Sequence, residues 1–319
     1  MRIHRLASSQ LLPAVALCGT IWLATQPAPV SGAQTIAVVS PQTVAAAIEG
    51  ARQVLVSAYV LEPSSVVVEA LERAGDDGSR AQVLLPGDPY DPSGFVGKTN
   101  AAVTAELHRH RINVFRSARA LHLKAVVIAG AVYLDDTNFG DGPNQTIVAD
   151  HDPADAHQVG AALTGAPTSS AHLQTTKAAA LQAEAALLLQ ARGPVAVESE
   201  SFGWRNPVYD ALLDRVRRGA SVQLIVAQRE VEASRYERKD LERLASVGVQ
   251  VRISFSDEKM AIAGRSAWVG SANATRGVPE QLDWGLTTTD PSLSASLAAR
   301  FARTWAQARP LAETPSKGD

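Results

Sequence analysis

One spacing occurs twice in the 319-residue chain and constrains its fold more than any other feature. Lys124 precedes Asn138 by 14 residues, and Lys259 precedes Asn273 by the same 14, at an offset of 135. An apolar strand–turn–strand pattern fills the interval in both copies. Self-similarity of this kind indicates a duplicated structural unit. The chain is therefore predicted to contain two related domains rather than one undivided core.

The segments upstream of each spacing repeat as well, at an offset of 141 that matches Val56 to Val197. Each copy is predicted to form a strand, a helix and a second strand. These runs are 53–60, 65–74 and 81–85 in the first copy, and 194–201, 207–218 and 221–227 in the second. Strands that alternate with helices predict an α/β architecture, with a sheet flanked by helices in each half.

The first 33 residues have the pattern of a secretory signal peptide. Arg2 and Arg5 precede an apolar run at 11–24, and Ser31-Gly32-Ala33 offers small residues at a cleavage point. Fourteen apolar residues are too few to span a bilayer. We expect cleavage after Ala33 and a periplasmic or secreted location. The single cysteine, Cys18, lies in the segment removed, so the mature chain is expected to have no disulfide.

The remaining chain divides by composition into two repeats and a connection. The first repeat is predicted at 34–163 and the second at 194–310, with a tail at 311–319. Residues 164–193 are expected to form the linker, which is rich in small residues at its start. An alanine-rich helix at 171–192 follows, and we expect it to pack between the two halves.

Charge and composition exclude several classes of protein. The chain has 30 Lys and Arg against 32 Asp and Glu, a net charge of −2, and 46% apolar residues. Intrinsic disorder is excluded for the whole chain, and nucleic-acid binding would need a local basic patch.

The charged run at 229–243 carries both signs at helical spacing and predicts an exposed helix. His151 and His157 flank an Asp-rich turn that gives little support for a metal ion.

The repeated motifs resemble those of the phospholipase D superfamily, which carries HxK and then GSxN, usually twice. The first copy reads His122-Leu123-Lys124 and then Asn138, and the second reads Asp257-Glu258-Lys259 and then Gly270-Ser271-Ala272-Asn273. The resemblance extends from about residue 34 to residue 308. It implies two α/β domains related by a pseudo-two-fold axis, with one active site at their junction.

The resemblance also implies a chemistry, namely phosphodiester cleavage through a covalent phosphohistidine. His122 would be the nucleophile and Asp257 would stand in for the second histidine as acid and base. Lys124, Asn138, Lys259 and Asn273 would hold the phosphate oxygens, and the turn hydroxyl of Ser271 could also donate to them. Cations and amide donors suit the charge of a phosphoryl centre, and imidazole supplies a nucleophile near neutral pH. This scheme needs no metal and no cofactor.

Three departures from the family pattern bear on activity. No histidine lies beyond His172, so Asp257, with an ordinary pKa near 3.9, occupies the place of the second imidazole. Asp135-Asp136 replaces the Gly-Ser of the first copy and would add negative charge near the phosphate. Asp283 matches the acid that orients a family histidine, yet it lies in the half without one. His122 is thus expected to lack a carboxylate partner unless Asp141 substitutes.

Two functions remain open on these residues. The first is an exported phosphodiesterase that hydrolyses a phospholipid head group or nucleic acid. The alternative is a catalytically degenerate phospholipase D-like protein with a phosphate-binding or scaffolding role. A sugar- or peptide-binding exported protein has no supporting motif. The partner expected is a phosphodiester substrate, without a stable membrane span, and the sequence does not determine the oligomeric state.

Overall fold

A computed structural model describes residues 36–140, 142 and 144–313. The predicted signal peptide, the tail beyond Glu313 and Asp141 lie outside this part of the chain. Among the described helices, none combines the length and the apolar character that a bilayer crossing requires.

The described residues of the first half form a mixed sheet of seven strands with four helices. Its strands are β1 (Ile36–Val39), β2 (Gln53–Ser57), β3 (Arg80–Pro86), β4 (Asn113–Ser117), β5 (Ala125–Ile128), β6 (Ala131–Asp135) and β7 (Ile147–Asp150). Its helices are α1 (Pro41–Glu49), α2 (Val66–Asp76), α3 (Phe95–Arg109) and α4 (Pro153–Thr164).

The described residues of the second half form an eight-stranded sheet with five helices and a 3-10 turn, Leu311–Glu313. Its strands are β8 (Leu173–Thr176), β9 (Val195–Ser199), β10 (Val222–Ala227), β11 (Gln250–Ser254), β12 (Met260–Ala263), β13 (Ser266–Gly270), β14 (Leu282–Thr288) and β15 (Arg309–Pro310). Its helices are α5 (Lys177–Gln190), α6 (Pro207–Arg217), α7 (Gln228–Ala233), α8 (Arg235–Ser246) and α9 (Pro291–Gln307).

The two sheets have the same topology. The first runs β4-β3-β2-β5-β6-β7-β1, and the second runs β11-β10-β9-β12-β13-β14-β8 with β15 added at its edge. Their registers also agree, because Val56 faces Val126 across β2 and β5 as Val197 faces Ala261 across β9 and β12. The predicted duplication and the α/β fold class are confirmed.

The sequence specifies equivalent helix starts in the two halves. Asp152 precedes Pro153 at the start of α4, and its carboxylate accepts the backbone N–H of Ala154 at 2.8 Å. Asp290 precedes Pro291 at the start of α9 and caps that helix in the same way. A capping acid followed by proline satisfies exposed N–H groups and sets the first helical φ angle. Both helices then pack against the core shared by the two halves.

Three apolar clusters hold the described chain together. One lies within each half, and the third is shared, with Leu123 and Val148 from the first half packed among Trp284 and Leu286 from the second. A further contact crosses the junction where the indole N–H of Trp284 donates to the carbonyl of Asp135 at 2.8 Å. The shared cluster is what brings the two repeated motifs to one place.

The alanine-rich segment does not pack between the halves. Its helix, α5, buries Ala180, Leu181 and Leu188 in the core of the second half, and β8 pairs with β14 of the same sheet. By order and position β8 and α5 correspond to β1 and α1. Small alanine side chains allow α5 to approach β14 closely, as Gly285 shows, where an added Cβ would lie 2.9 Å from the Cβ of Ala180.

Breaking one ion pair at the junction is expected to destabilise the fold strongly. The Arg300 Nε donates to Glu258 Oε1 at 2.6 Å, and the Glu258 side chain is only 3% exposed. Arg300→Met should lower the free energy of unfolding by about 3 kcal/mol, because it leaves a buried carboxylate without its cation. Urea unfolding measures the change. The double variant with Glu258→Gln should recover most of the loss, and equal losses in both variants would contradict this account.

Candidate functional site

In each half, the first and third residues of the repeated motif lie on extended backbone just before a strand. His122 and Lys124 precede β5, while Asp257 and Lys259 precede β12, and residues two apart on extended backbone point the same way. The His122 backbone N–H donates to the carbonyl of Leu282 at 2.7 Å, so this segment pairs with β14 of the other half. That pairing sets His122 beside the residue that follows Leu282.

The residue in question is Asp283, and it supplies the carboxylate that the sequence does not predict for His122. The His122 Nδ1 lies 2.8 Å from Asp283 Oδ1. A proton on Nδ1 that donates to this carboxylate leaves the Nε2 lone pair free for chemistry. Burial and then Lys124 lower the pKa of His122. Burial alone would raise the pKa of Asp283, but His122 and Lys124 lower it. The expectation of an unpartnered His122 was wrong, because its partner comes from the opposite half.

Lys124 lies directly against the imidazole. Its Nζ is 2.8 Å from His122 Nε2, and the residue is only 1% exposed. Burial, followed by the charge of Lys259, lowers the pKa of Lys124 to about 7. Lys124 can therefore gain or lose its proton near neutral pH, unlike an ordinary surface lysine.

Lys259, the equivalent lysine of the second half, stays charged. Its Nζ donates to the carbonyl of Asp257 at 2.9 Å and to that of Asp136 at 3.1 Å. Its third contact is an ion pair with Glu200 Oε2 at 2.9 Å. Burial alone would lower its pKa, but Glu200 and Asp136 raise it.

Glu200 lies at the centre of the second half of the site. One carboxylate oxygen contacts the guanidinium of Arg229. The other contacts Lys259 and accepts the Asn273 amide at 3.2 Å. Burial alone would raise the pKa of Glu200, but Lys259 and Arg229 hold it far below its usual range. The Glu200 carboxylate thus contacts Lys259 and Asn273, the two residues of this half that the family resemblance assigns to phosphate binding.

No motif in the sequence identifies Glu200 or Arg229. A signal exists in the repeat, because the offset of 141 matches Glu200 to Tyr59. The Tyr59 ring lies edge-on to His122, with ring centroids 5.3 Å apart. In both halves the residue just beyond the first repeated strand therefore contacts the site.

The two asparagines are oriented in the same way. Asn138 Oδ1 accepts the backbone N–H of Val60 at 3.1 Å, and Asn273 Oδ1 accepts that of Ser201 at 3.3 Å. Anchoring the carbonyl end fixes the direction of each amide N–H. In the second half that group donates to Glu200.

Asp257 joins the cluster through Arg229. Its Oδ2 lies 3.1 Å from the Arg229 Nη1, and its side chain is 29% exposed. Burial and the charge of Glu200 raise the pKa of Asp257. The charged run at 229–243 forms helices α7 and α8, as predicted. Its first residue, Arg229, contacts Glu200 and Asp257 of the site.

Asp135 and Asp136 are structural links in this arrangement. Asp135 accepts the backbone N–H groups of Thr137 and Phe139, which closes its own loop. Asp136 accepts the N–H of Thr146 at 2.7 Å and that of Lys259 at 3.2 Å. Burial, together with neighbouring Asp135, raises the pKa of Asp136 well above its ordinary value. Both residues are fully buried, and they connect the halves through Lys259 and Trp284 of the second half.

Ser271, which is expected to help hold phosphate, makes two local hydrogen bonds. Its hydroxyl donates to Asp283 Oδ1 at 2.8 Å and accepts the backbone N–H of Trp284 at 3.0 Å. Gln281 donates to the other Asp283 oxygen at 2.9 Å. These bonds fix the carboxylate that orients His122.

Fold and site together define an α/β protein with two copies of one domain and a single composite site at their junction. The family model described as cardiolipin synthase, PLD-like domain, matches residues 185–305. The match lies within the second half of the chain and includes Lys259 and Asn273.

Solved structures share the fold at low sequence identity. Phosphatidylserine synthase from Haemophilus influenzae Rd KW20 is 11% identical with a TM-score of 0.66, over 88% of this chain and 89% of that one. Polyphosphate kinase from Porphyromonas gingivalis is 15% identical with a TM-score of 0.61, over 85% of this chain. The match spans 50% of the kinase's own length. No curated protein matches the sequence.

Proposed function

We propose that the protein is an exported phosphodiesterase that uses His122 as a nucleophile. The observation that carries the proposal is the His122–Asp283 pair, 2.8 Å apart and built from both halves. A carboxylate on Nδ1 sets the tautomer that leaves Nε2 able to attack, which is the arrangement that nucleophilic catalysis requires. The signal-like sequence before Gln34 supports export.

The proposed reaction proceeds in two displacements. The Nε2 lone pair of His122 forms a bond to phosphorus while the bond from phosphorus to the leaving oxygen breaks. The ammonium of Lys124, which donates to Nε2 in the free protein, transfers its hydrogen bond to a phosphate oxygen. Water then gives a proton to the Asp257 carboxylate and attacks phosphorus, the P–N bond breaks, and the electron pair returns to Nε2. The products are a phosphate monoester and an alcohol.

The site lacks an efficient general acid to protonate the leaving oxygen. Asp257 is the residue positioned for it, with a pKa raised by burial but with Arg229 bound to its carboxylate. A carboxylic acid held in an ion pair is a poorer acid catalyst than an imidazolium near neutral pH. We therefore expect aryl phosphodiesters, whose leaving groups need no proton, to react much faster than alkyl phosphodiesters.

A second candidate function is weak anion binding without turnover, and Glu200 favours it over efficient catalysis because it occupies part of the phosphate position. Its carboxylate already engages Lys259 and Asn273, so a phosphate would have to compete for them. Such a protein would retain the fold and bind phosphate esters weakly.

Hydrolysis of a chromogenic aryl phosphodiester by the purified protein tests the two functions. Release of the aryl alcohol together with acid-labile phosphate on the protein supports the phosphodiesterase. Parallel reactions with anionic phospholipid vesicles and a single-stranded oligonucleotide distinguish the two substrate classes. Saturable binding of inorganic phosphate without any turnover would support the anion-binding alternative instead.

The pH dependence of kcat/KM is expected to be bell-shaped, with its maximum below about pH 7. Attack needs neutral His122, whose pKa is lowered by burial and Lys124, so the acid limb lies below its ordinary value. Phosphate binding needs charged Lys124, whose pKa of about 7 makes activity fall as the pH rises through that value. Lys259, with its raised pKa, adds no limb there. In Lys124→Arg the alkaline limb should disappear, and native activity that stays constant from neutral to alkaline pH would contradict this assignment.

A further inference from the structure

A second cluster of ligand-type side chains lies away from His122, at the far end of β14. It combines Asp150, the last residue of β7, with Asp155 in the first turn of α4 and His172 just before β8. The His172 Nδ1 lies 3.0 Å from the carbonyl of Thr287, whereas Asp283 at the His122 site is four residues earlier in the same strand. Four residues of strand correspond to about 13 Å. The two clusters are therefore separate.

The separations within this cluster suit a shared ion better than direct hydrogen bonds. His172 Nε2 lies 3.8 Å from Asp150 Oδ2 and 3.5 Å from Asp155 Oδ2. These distances are at or beyond the limit for hydrogen bonds. Two ligands each about 2.1 Å from one Zn²⁺ ion lie about 3.4 Å apart at the tetrahedral angle. One ligand atom from each of the three residues lies within 4.8 Å of the others.

An unsatisfied buried oxygen points independently to a missing partner. Asp150 is 0% exposed, and its Oδ1 accepts the backbone N–H of Asp152 at 2.9 Å. Its Oδ2 makes no hydrogen bond of ordinary length among the residues that the structure describes, and its contact with His172 Nε2 is 3.8 Å long. A buried carboxylate oxygen that has only an imidazole 3.8 Å away is poorly compensated, so a cation bound between these groups would stabilise the fold.

The contact of Nδ1, the other ring nitrogen, orients the His172 imidazole for binding a metal ion. A proton on Nδ1 that donates to the Thr287 carbonyl places the lone pair on Nε2, toward both carboxylates. Metal-binding histidines commonly donate their second N–H to a backbone carbonyl in this way. An open surface cavity of about 480 Å³ is lined by His172, Thr287 and Thr288, so the imidazole lies at the border with solvent.

We propose that Asp150, Asp155 and His172 form a Zn²⁺ site that links the two halves of the protein. Two carboxylates and one imidazole suit Zn²⁺ better than Mg²⁺ or Ca²⁺, which prefer oxygen ligands throughout. The carboxylates belong to the first sheet and its helix α4, whereas His172 is tied to β14 of the second sheet. Bound metal would thus join the halves at a point remote from His122.

Titration of the chelator-treated full chain with ZnCl₂, followed by calorimetry and thermal melting, tests the site. We expect one tight Zn²⁺ ion per chain and a higher Tm on binding. His172→Gln and Asp155→Asn should each weaken binding at least tenfold, and MgCl₂ should bind far more weakly. Circular dichroism of the metal-free variants would verify that they fold.

His110→Gln is the matched control, because His110 belongs to the other three-residue cluster with metal-ligand geometry, with Glu72 and Glu106. It should leave Zn²⁺ binding unchanged. The proposal is overturned if the chain binds no Zn²⁺, or if His110→Gln removes binding while His172→Gln does not. It is also overturned if MgCl₂ binds as tightly as ZnCl₂.

Discussion

His122→Ala is expected to lower the rate of aryl phosphodiester hydrolysis at least about 1,000-fold, because it removes the one imidazole that the described residues place in the composite site. Asp283 would then have no imidazole to orient, and no other histidine contacts Lys124 among the described residues. The measurement is the rate constant for release of the aryl alcohol under single-turnover conditions. Acid-labile phosphate on the protein should disappear together with turnover.

His108→Ala is the matched control for this experiment, because His108 is an exposed histidine near the end of α3. It should hydrolyse the substrate at the native rate. Asp257→His restores an imidazole at the acid position. We expect it to accelerate alkyl phosphodiesters and to leave aryl substrates nearly unchanged. Undiminished hydrolysis by His122→Ala would exclude His122 as the nucleophile.

Glu200→Gln is expected to tighten the binding of inorganic phosphate at least about tenfold, which corresponds to about 1.4 kcal/mol. The native carboxylate neutralises Lys259 and Arg229 and accepts the Asn273 amide. A glutamine of the same shape removes the negative charge and leaves these donors available to an anion. The same change leaves buried Lys259 with a weaker partner, so the Tm of the phosphate-free protein should fall. Calorimetric titration and melting curves measure both effects.

Glu184→Gln is the control for charge removal at a buried acid. Glu184 lies in α5, and burial raises its pKa to about 8, so it is mostly neutral near pH 7 and its replacement should not change phosphate affinity. If Glu200→Gln binds phosphate no better than the native chain, Glu200 does not compete for the phosphate position. If it binds more tightly and neither protein turns over any phosphodiester, the anion-binding function is supported.

The sequence was sufficient to predict the duplicated fold, because the signals involved are local. Equal spacing from Lys124 to Asn138 and from Lys259 to Asn273 reflects one strand–turn–strand unit formed twice, and the matched registers show it. Periodicity within a short segment determines which residues share a face. The HxK positions were predictable for this reason.

Contacts between the halves were not predictable from those signals. Asp283 partners His122 from 161 residues away, and the charge of Arg229 reaches the site only because α7 follows β10 at the junction. Nothing in the local pattern around Glu200 distinguishes a site residue from a surface acid at the end of a strand. Such partners depend on how the two sheets pack together, and no short segment of the sequence indicates that packing.

The pairing of His122 with Asp283 makes the two duplicated domains interdependent. A fragment that ended before β8 would carry the nucleophile without the carboxylate that orients it, and the remaining fragment would carry the carboxylate alone. Expressed separately, both should be inactive, and any activity on mixing would report fragment complementation. Substitutions in the second half would thus reduce activity even though the attacking atom belongs to the first.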